Sequence, residues 1–445
     1  MIYDRPLTEE QRRISQKNYN YFSAVNGASY MCLGETVIIL FAVKLHAPNS
    51  IVAVIGAMMF LGFLLLPLGV IRTGQVGAAR SQADFWVCRN VAALLVAVSA
   101  LVLPLSQGLA WGMLLLGSFL FYGFRAAGVV MSQPLIGDIS SNLDRARLIA
   151  RSTGLFYAFG LAAMVTISLI LRTYDNLWVL VGVIVAGACF GVTASTFIRR
   201  IDETSSIRRS AQSPLLPQLR AAFYDPTLRR QIYAGFMVNL GIIMMAPIAI
   251  LTMKRGYGVS DTQAILFSVI QFAASIAATQ ISGKVTEKIG PRKVAIYAYS
   301  LIFPVCLFFL AAPGTIRSVW MWGLFILPFA LIGSMVVSAQ NAMVHYFLMA
   351  VPKERQVASS MFISVVTGAA AGVTGMVVAS GILKIAERLF GNGLAMYRAY
   401  FVGAGVLFLA GLILVVRLVP VIDTFLREYG MEKTRAIIRE VLPRK

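Results

Sequence analysis

The chain has 445 residues, 58% of them hydrophobic and only 13% charged, whereas an average soluble domain carries charge on about a quarter of its residues. This composition excludes a water-soluble globular protein, and the ordinary counts of glycine (37), proline (16) and cysteine (4) exclude collagen-like, disordered and disulfide-stapled chains. The net charge of +20 would indicate nucleic-acid binding only if the 39 lysines and arginines shared one water-exposed surface.

Twelve apolar stretches are long enough to cross a membrane as helices. A helix needs about 20 mostly apolar residues to span the hydrocarbon layer, whereas a barrel strand needs about 10 residues that alternate. The stretches here are long and do not alternate, so we predict an all-α polytopic membrane protein. The predicted spans are residues 21–44, 49–71, 84–105, 109–137, 147–171, 177–198, 231–253, 261–283, 293–312, 318–350, 358–384 and 396–419.

The distribution of basic residues predicts the orientation in the membrane. The segment before the first span carries acids and has no small-residue cleavage site, so it is not a signal peptide. With a cytoplasmic N-terminus, most lysines and arginines fall on the cytoplasmic side, which is the positive-inside pattern. We therefore expect both termini inside the cell, a cell membrane (the inner membrane in a bacterium), and no nucleic-acid partner.

The first span combines a polar stripe with a carboxylate. Asn26 and Tyr30 follow Tyr19 and Ser23 at helical spacing, which places all four on one face. Glu35 points nearly the opposite way, since nine residues separate it from Asn26. A carboxylate inside a membrane is a candidate proton carrier, so we take Glu35 as a candidate coupling residue. Asn26 and Tyr30 are candidates for hydrogen bonding to the substrate.

Arg125 in the fourth span is a second charge well inside the membrane. Such a charge costs about 2.5 to 3.5 kcal/mol at the bilayer centre on insertion scales, so its presence requires a compensating partner. Two interpretations remain open from the sequence. Arg125 either anchors an anionic substrate or takes part in proton coupling, or it forms a structural ion pair, for which Glu35 is the candidate.

A polar linker divides the chain into two halves of six spans. Sliding the chain by 208 residues lays 147–166 on 355–374 with matches that include Arg147 on Arg355 and Gly160 on Gly368. The two halves are therefore predicted to be pseudo-symmetric six-helix bundles. The predicted units are a cytoplasmic segment 1–20, bundles 21–198 and 231–419, a cytoplasmic linker 199–230, and an amphipathic cytoplasmic tail 420–445.

The loop after the eighth span carries a glycine-rich charged motif. Its defining residues are Gly283, Glu287, Lys288, Gly290 and Arg292. The motif resembles the G-x-x-x-D-R-x-G-R-R loop of the major facilitator superfamily, with Glu for Asp, Lys for Arg and Pro291 in the first closing basic position. The resemblance implies a gating latch that stabilises one of two conformations. The alternative is an ordinary tight loop, and the corresponding first-half loop lacks the motif.

Polar residues also recur inside the spans of the second half. Asn239 lies in span seven, Gln271 in span eight, and Asn341 and His345 share one face of span ten. In the family that the chain resembles, spans one, four, seven and ten line the substrate path, which makes these residues candidates for the lining. Their alternative role is helix-to-helix hydrogen bonding, and His345 also suits a satisfied side chain at the membrane interface.

Signals for catalysis are absent from the sequence. The chain has two histidines, no H-E-x-x-H or Walker motif, and no cysteine pair with metal-ligand spacing, so we expect no enzyme activity, no cofactor and no metal.

We therefore predict a secondary active transporter, which we expect to be monomeric. The expected cargo is a small solute, in the sharper version an anionic metabolite carried together with protons. The expected coupling ion is a proton or sodium. The alternatives are an exporter of drugs or lipid-like compounds with the same fold, and a membrane sensor that transports nothing.

Overall fold

The computed structural model describes residues 1–419 except 49–50, 52–53, 56–57, 60, 142–143, 175, 215–216, 218–219, 221–222, 260, 316–318, 353–354 and 392. The predicted tail 420–445 lies outside the described residues. The described chain is helical apart from a two-residue ladder. Its first half contains β1 (Ile2–Tyr3), α1 (Glu9–Cys32), α2 (Glu35–Lys44), a 3-10 turn (Gly62–Leu65), α3 (Leu66–Val76), α4 (Ala78–Val102), α5 (Gln107–Val129), α6 (Ser132–Ile139), α7 (Arg145–Thr173) and α8 (Leu177–Arg199).

The second half follows a short strand and helix in the linker. These are β2 (Glu203–Thr204) and α9 (Ser205–Gln212). The remaining elements are α10 (Pro226–Leu251) with a π-helical turn (Thr252–Gly256), α11 (Asp261–Ile289), α12 (Pro291–Ala311), α13 (Val319–Ala350), α14 (Gln356–Ile363), a π-helical segment (Ser364–Ala370), α15 (Ala371–Phe390) and α16 (Leu394–Val416).

The helices confirm the all-α, twelve-span prediction. Within the described residues, ten helical stretches are long and apolar enough to cross a membrane. The shorter apolar helix Gly62–Val76 and the 29-residue helix α11 occupy the positions predicted for spans two and eight. Both halves therefore supply six spans.

The first span is interrupted near its middle. Helix α1 starts from a capping box in which Thr8 accepts from the backbone of Gln11, and it ends at Cys32. Helix α2 restarts after Gly34, with Glu35 as its first residue. Val37 and Ile38 donate to the carbonyl oxygen of Gly34 at 3.0 and 3.2 Å, while the N–H groups before them have no i−4 acceptor in α2. A break within a span therefore leaves polar backbone inside it.

Each half has its own core, and a third buried cluster joins the halves. One cluster contains only first-half residues, among them Phe41 and Val96, and another contains only second-half residues, among them Phe309 and Phe401. The third combines first-half residues with others from the second half, such as Phe347. It lies at the end of the bundle that carries β1 and β2, which we call the terminal face.

The halves approach most closely where α7 crosses α11. Small residues make this approach possible, because a side chain at Gly283 would place its Cβ 2.6 Å from the Cβ of Ala150. Gly154 meets Thr279 in the same way, also at 2.6 Å. Near the terminal face, Arg145 donates to the carbonyl oxygen of Leu348 at 3.3 Å. The described contacts therefore hold the halves together at the terminal face.

The linker returns to the terminal face beside the start of the chain. Strands β1 and β2 pair in parallel, with Ile2 opposite Glu203. The Glu203 carboxylate accepts the backbone N–H groups of Ala78 at 2.8 Å and Ala79 at 3.2 Å. Those donors open helix α4, whose first N–H groups have no intrahelical partner, so a linker carboxylate caps a membrane helix.

Candidate functional site

A cavity of about 860 Å³ lies between the two halves. Helices α3, α5, α10, α13 and α15 and the π-helical segment all contribute to its wall. Most lining side chains are apolar, with Phe63, Ile242, Ile243, Met376 and Leu383 as examples. The cavity extends away from the terminal face, since Ile248 and Leu383 line it near the far ends of α10 and α15. We call it the central cavity.

Arg125 carries the one charge among the described residues that line the central cavity. It projects from the last two turns of α5 and is half-buried. Its guanidinium carbon lies 4.8 Å from the ring centroid of Tyr30 on α1, a cation–π contact. No hydrogen bond or ion pair of the Arg125 side chain occurs among the described residues. The guanidinium donors are therefore available to a ligand in the cavity.

The candidate coupling residue Glu35 is placed only by its backbone. It opens α2, directly after the break in the first span. Its side chain lies outside the described residues, so its predicted pairing with Arg125 stays a prediction.

Asn239 lies across the cavity from the first half and is oriented by a helix irregularity. Its amide nitrogen donates to the carbonyl oxygen of Thr367 at 3.1 Å. Thr367 belongs to the π-helical segment Ser364–Ala370, in which the wider turns free backbone carbonyls for other donors. Thr367 also lines the cavity. The carboxamide oxygen of Asn239 has no described partner and is available as an acceptor.

A second, smaller chamber of about 370 Å³ continues from the central cavity toward the terminal face. Val129, Gln340 and Ser364 line both spaces and mark their junction. Polar side chains are frequent in this inner chamber, and they include the predicted site residues Asn26 and Asn341. Gln133, Thr153 and Tyr157 line it too, and the sequence interpretation did not select them.

Arg89 on α4 is a charged residue that the sequence interpretation missed. It is only 1% exposed and lies about three turns inside α4. Its guanidinium donates to Asn26 at 3.3 Å and to Ser29 at 3.0 Å, and it lies over the rings of Trp86 and Phe121. The span was predicted to begin at residue 84, which put Arg89 near the membrane edge. In the structure Arg89 is instead buried inside the bundle, between Ser29 of α1 and Phe121 of α5.

Two predicted site residues line neither of these spaces. Gln271 packs on α13, where its backbone carbonyl leaves no room for a side chain at Gly333. His345 is 4% exposed, and neither ring nitrogen has a hydrogen-bond partner among the described residues. Of the predicted lining residues, the structure brings Arg125 and Asn239 to the central cavity and Asn26 and Asn341 to the inner chamber, with Tyr30 against Arg125.

The predicted gating motif lies at the crossing of the two halves. Glu287 forms an ion pair with Arg147 of α7 at 3.1 Å, and Gly283 lies against Ala150 of the same helix. Gly290 adopts a φ of 85° between α11 and α12, a conformation that glycine adopts without strain.

The other basic residues of the motif differ in their contacts. Arg292 donates to the carbonyl oxygen of Val416 at 2.8 Å, while Lys288 is exposed. Within the described part of the chain, no group of three or more His, Cys, Asp or Glu side chains could hold a metal ion.

The family model of the Major Facilitator Superfamily matches residues 21–376. Solved structures with a similar fold include a bacterial homologue of the iron transporter ferroportin in an outward-facing state (TM-score 0.70, 12% identity, covering 91% of this chain and 98% of that one). The human organic anion transporter MFSD10 is similar at a TM-score of 0.65 and 17% identity, with 91% and 99% covered. The E. coli fucose:proton symporter FucP gives 0.66 and 11%, with 93% and 99% covered. The sequence matches none of the curated proteins.

Proposed function

The chain belongs to the Major Facilitator Superfamily, whose members are transporters, and on that premise we propose that it carries an organic anion through the central cavity by alternating access. The proteins with a similar fold include a homologue of an iron transporter, an organic anion transporter and a fucose symporter. At these low identities the likeness concerns the fold alone. The substrate class therefore has to come from the chemistry of this cavity.

The guanidinium of Arg125, which has no hydrogen-bond or ion-pair partner among the described residues, is the observation that carries the proposal. A charge at membrane depth is costly, and Arg125 has an aromatic ring but no described carboxylate beside it. A carboxylate, phosphonate or sulfonate would compensate the charge and accept two parallel hydrogen bonds from the planar guanidinium. Arg125 would repel a cationic solute, which argues against a drug exporter with cationic substrates.

The apolar wall of the central cavity supports a substrate with a hydrocarbon body. Side chains such as Phe63, Ile243 and Met376 face the same space as Arg125. Burial of apolar area contributes about 25 cal/mol per Å², so an alkyl or aromatic group gains affinity here that a small inorganic anion lacks. We propose an amphipathic organic anion, which covers both the anionic metabolite and the lipid-like alternatives.

The arrangement of the halves supports a rocking cycle. Their contacts run from the terminal face to the middle of α7 and α11, where Tyr157 meets Phe272, while the cavity extends toward the opposite face. With both termini in the cytoplasm, as the positive-inside pattern predicts, this conformation faces outward. The ion pair of Arg147 and Glu287 then closes the cytoplasmic side, and rocking the halves 21–198 and 231–419 about the cavity would break it.

A proton or sodium gradient is the energy source that we propose. Proton coupling would make transport depend on the pH gradient, whereas sodium coupling would make it depend on external sodium at constant pH. Uptake into vesicles with each gradient imposed separately distinguishes the two.

Counterflow in proteoliposomes tests the transport proposal. Vesicles preloaded with an unlabelled organic anion should accumulate the labelled compound, and Arg125→Gln should lower the initial rate at least tenfold. Arg172→Gln, at the exposed end of α7, is the matched control and should retain the rate. A protein that accumulates no compound from a panel of carboxylates, phosphonates and sulfonates would fit the sensor alternative instead.

A further inference from the structure

We infer that the inner chamber is a head-group subsite that selects groups with hydrogen-bond acceptors only, such as carboxylate, phosphonate or sulfonate. This inference rests on the proposed function and goes beyond it. Arg125 alone determines neither the position of the substrate's head group nor which neutral groups the site rejects. The amides that line the inner chamber carry the inference. The side-chain oxygens of Asn26, Asn341 and Gln133 face protein donors, which leaves the N–H groups of these three amides for the ligand.

Asn26 is oriented by helix α4. Its side-chain oxygen accepts the indole N–H of Trp86 at 2.8 Å and the guanidinium of Arg89 at 3.3 Å. Two donors on one oxygen fix the amide plane, since rotating the amide would bring N–H groups against N–H groups. The amide nitrogen of Asn26 has no described partner, and the residue lines the inner chamber. Asn26 therefore offers hydrogen-bond donors to the chamber.

Asn341 is oriented in the same sense from the other half of the molecule. Its oxygen accepts the hydroxyl of Thr153 on α7 at 3.1 Å. Its amide nitrogen is buried and has no partner among the described residues. A buried donor without an acceptor costs about 1 to 3 kcal/mol, so a ligand oxygen that accepts from it would gain affinity. A third amide, Gln133, has its oxygen 3.4 Å from the hydroxyl of Ser360 and also lines the chamber.

Arg89 adds positive charge behind these donors. It is buried against Asn26, Ser29 and Asn90, all of them neutral, and no carboxylate lies within ion-pair distance among the described residues. Arg125 contacts Tyr30, one turn after Asn26 on the same helix, so the two cations flank the same stretch of α1. An anionic head group at the junction of the two spaces would lie between the charge of Arg125 and the donors of the inner chamber. Both cations would then gain a compensating neighbour.

The donor pattern predicts which substrates are rejected. A carboxylate can accept from each amide, whereas a primary amide or an ammonium group brings its own N–H groups against them. A site built to hydrogen-bond one kind of group discriminates strongly against an analogue that leaves its buried polar groups unpaired. The protein should therefore prefer an alkyl carboxylate to the amide of the same length.

Equilibrium binding to the purified full-length protein tests this preference. The probes are octanoate, octylphosphonate and octanesulfonate, with octanamide and octylamine as matched neutral and cationic compounds. We expect each anion to bind at least about tenfold more tightly than octanamide. Two variants then alter the donors. Asn26→Asp keeps an oxygen for Trp86 and Arg89 but replaces the donor with an acceptor, and Thr153→Val removes the hydroxyl that orients Asn341 without changing charge.

Both variants should reduce the ratio of octanoate to octanamide affinity, Asn26→Asp at least tenfold and Thr153→Val severalfold. Asn176→Asp, at the exposed N-cap of α8, makes the same charge change away from the cavity and should leave the ratio unaltered. Monodisperse gel filtration and an unchanged melting temperature serve as folding controls. If either chamber variant keeps the wild-type ratio while Arg125→Gln lowers it, the head-group subsite is wrong and the proposed function stands. If Arg125→Gln leaves the ratio unchanged, the proposed function fails.

Discussion

The guanidinium of Arg125 lies 4.8 Å from the ring centroid of Tyr30. Among the described residues, this charge therefore has an aromatic ring beside it and no carboxylate. The ring restrains the guanidinium beside the central cavity but provides no hydrogen-bond acceptor. A cation–π contact of this kind contributes about 0.5 to 2 kcal/mol and leaves the N–H donors free. The pair therefore resembles a preformed anion site more than a structural ion pair.

Replacing the ring of Tyr30 should weaken anion binding. Tyr30→Leu removes the cation–π contact, which allows the guanidinium to leave its position, and we expect the Kd for octanoate to rise about three- to tenfold. Tyr30→Phe keeps the ring and should bind like the wild type. Titration calorimetry on the three proteins measures the difference. Equal weakening in both variants would show that the hydroxyl, and not the ring, matters.

Reversing the ion pair of Arg147 and Glu287 should shift the conformational equilibrium. The pair is partly exposed, 73% at Arg147 and 21% at Glu287, so its contribution is about 1 kcal/mol or less. Arg147→Glu places two like charges together and should increase the population with an open terminal face severalfold. The double exchange Arg147→Glu with Glu287→Arg should restore the wild-type distribution.

Distances between nitroxide labels at positions 200 and 293 report this equilibrium. The labels lie on opposite halves near the terminal face, in a background in which the exposed Cys88 and Cys189 are replaced by alanine. Identical distance distributions in the wild type and Arg147→Glu would exclude a gating role for this pair.

A side chain at Gly283 should destabilise the crossing of α7 and α11. An added Cβ would lie 2.6 Å from that of Ala150, so the helices have to separate, and overpacking of this kind costs about 1 to 3 kcal/mol. Gly182 in α8 has no atom within 4 Å of an added Cβ, and Gly182→Ala should not destabilise the protein, because alanine favours helix. Thermal unfolding in detergent compares the two. A melting temperature for Gly283→Ala at or above that of the wild type would contradict the packing argument.

Glu203 should make stability depend on pH. Burial raises the pKa of this carboxyl from 4.5 to about 7, the amides of Ala78 and Ala79 lower it, and among neighbouring charges Asp138 raises it while the Met1 amino group lowers it. The folded protein then holds the proton more tightly than the unfolded chain. The free energy of unfolding therefore falls as pH rises from 4.5 to about 7, and the lost stability is not recovered at higher pH.

Glu203→Gln should lack this decrease, since it cannot ionise. The exposed Glu10→Gln on α1 is the control and should keep the wild-type dependence. Melting temperatures at pH 5 and pH 8 suffice for the comparison. A decrease of the same size in Glu203→Gln and the wild type would assign the pH dependence to other groups.

The membrane architecture follows from the sequence because each span is encoded locally. Hydropathy locates the helices, and the repeat of 147–166 in 355–374 indicates two related halves. The position of Arg125 inside a span also identifies it as a charge that needs a partner. These properties do not depend on which helix faces meet.

The inner chamber depends on tertiary packing and could not be predicted in the same way. Arg89 was overlooked because it lies near the start of its predicted span, whereas its burial depends on contacts with Ser29 and Phe121 of other helices. The orientation of Asn26 requires Trp86 from another helix, and that of Asn341 requires Thr153 from the other half. Polar spacing on one helix does not contain this information. It also placed Gln271 and His345 among the lining candidates, and they line neither the central cavity nor the inner chamber.

The structure of the protein with bound 8-bromooctanoate tests the central claim most directly, because anomalous scattering locates the bromine independently of the carboxylate. We predict a bromine peak in the central cavity near Ile243 and Met376, and carboxylate oxygens about 2.7 to 2.9 Å from the guanidinium nitrogens of Arg125. A ligand bound outside the cavity, or one in the cavity while Arg125 pairs with a carboxylate of the chain such as Glu35, would contradict the account.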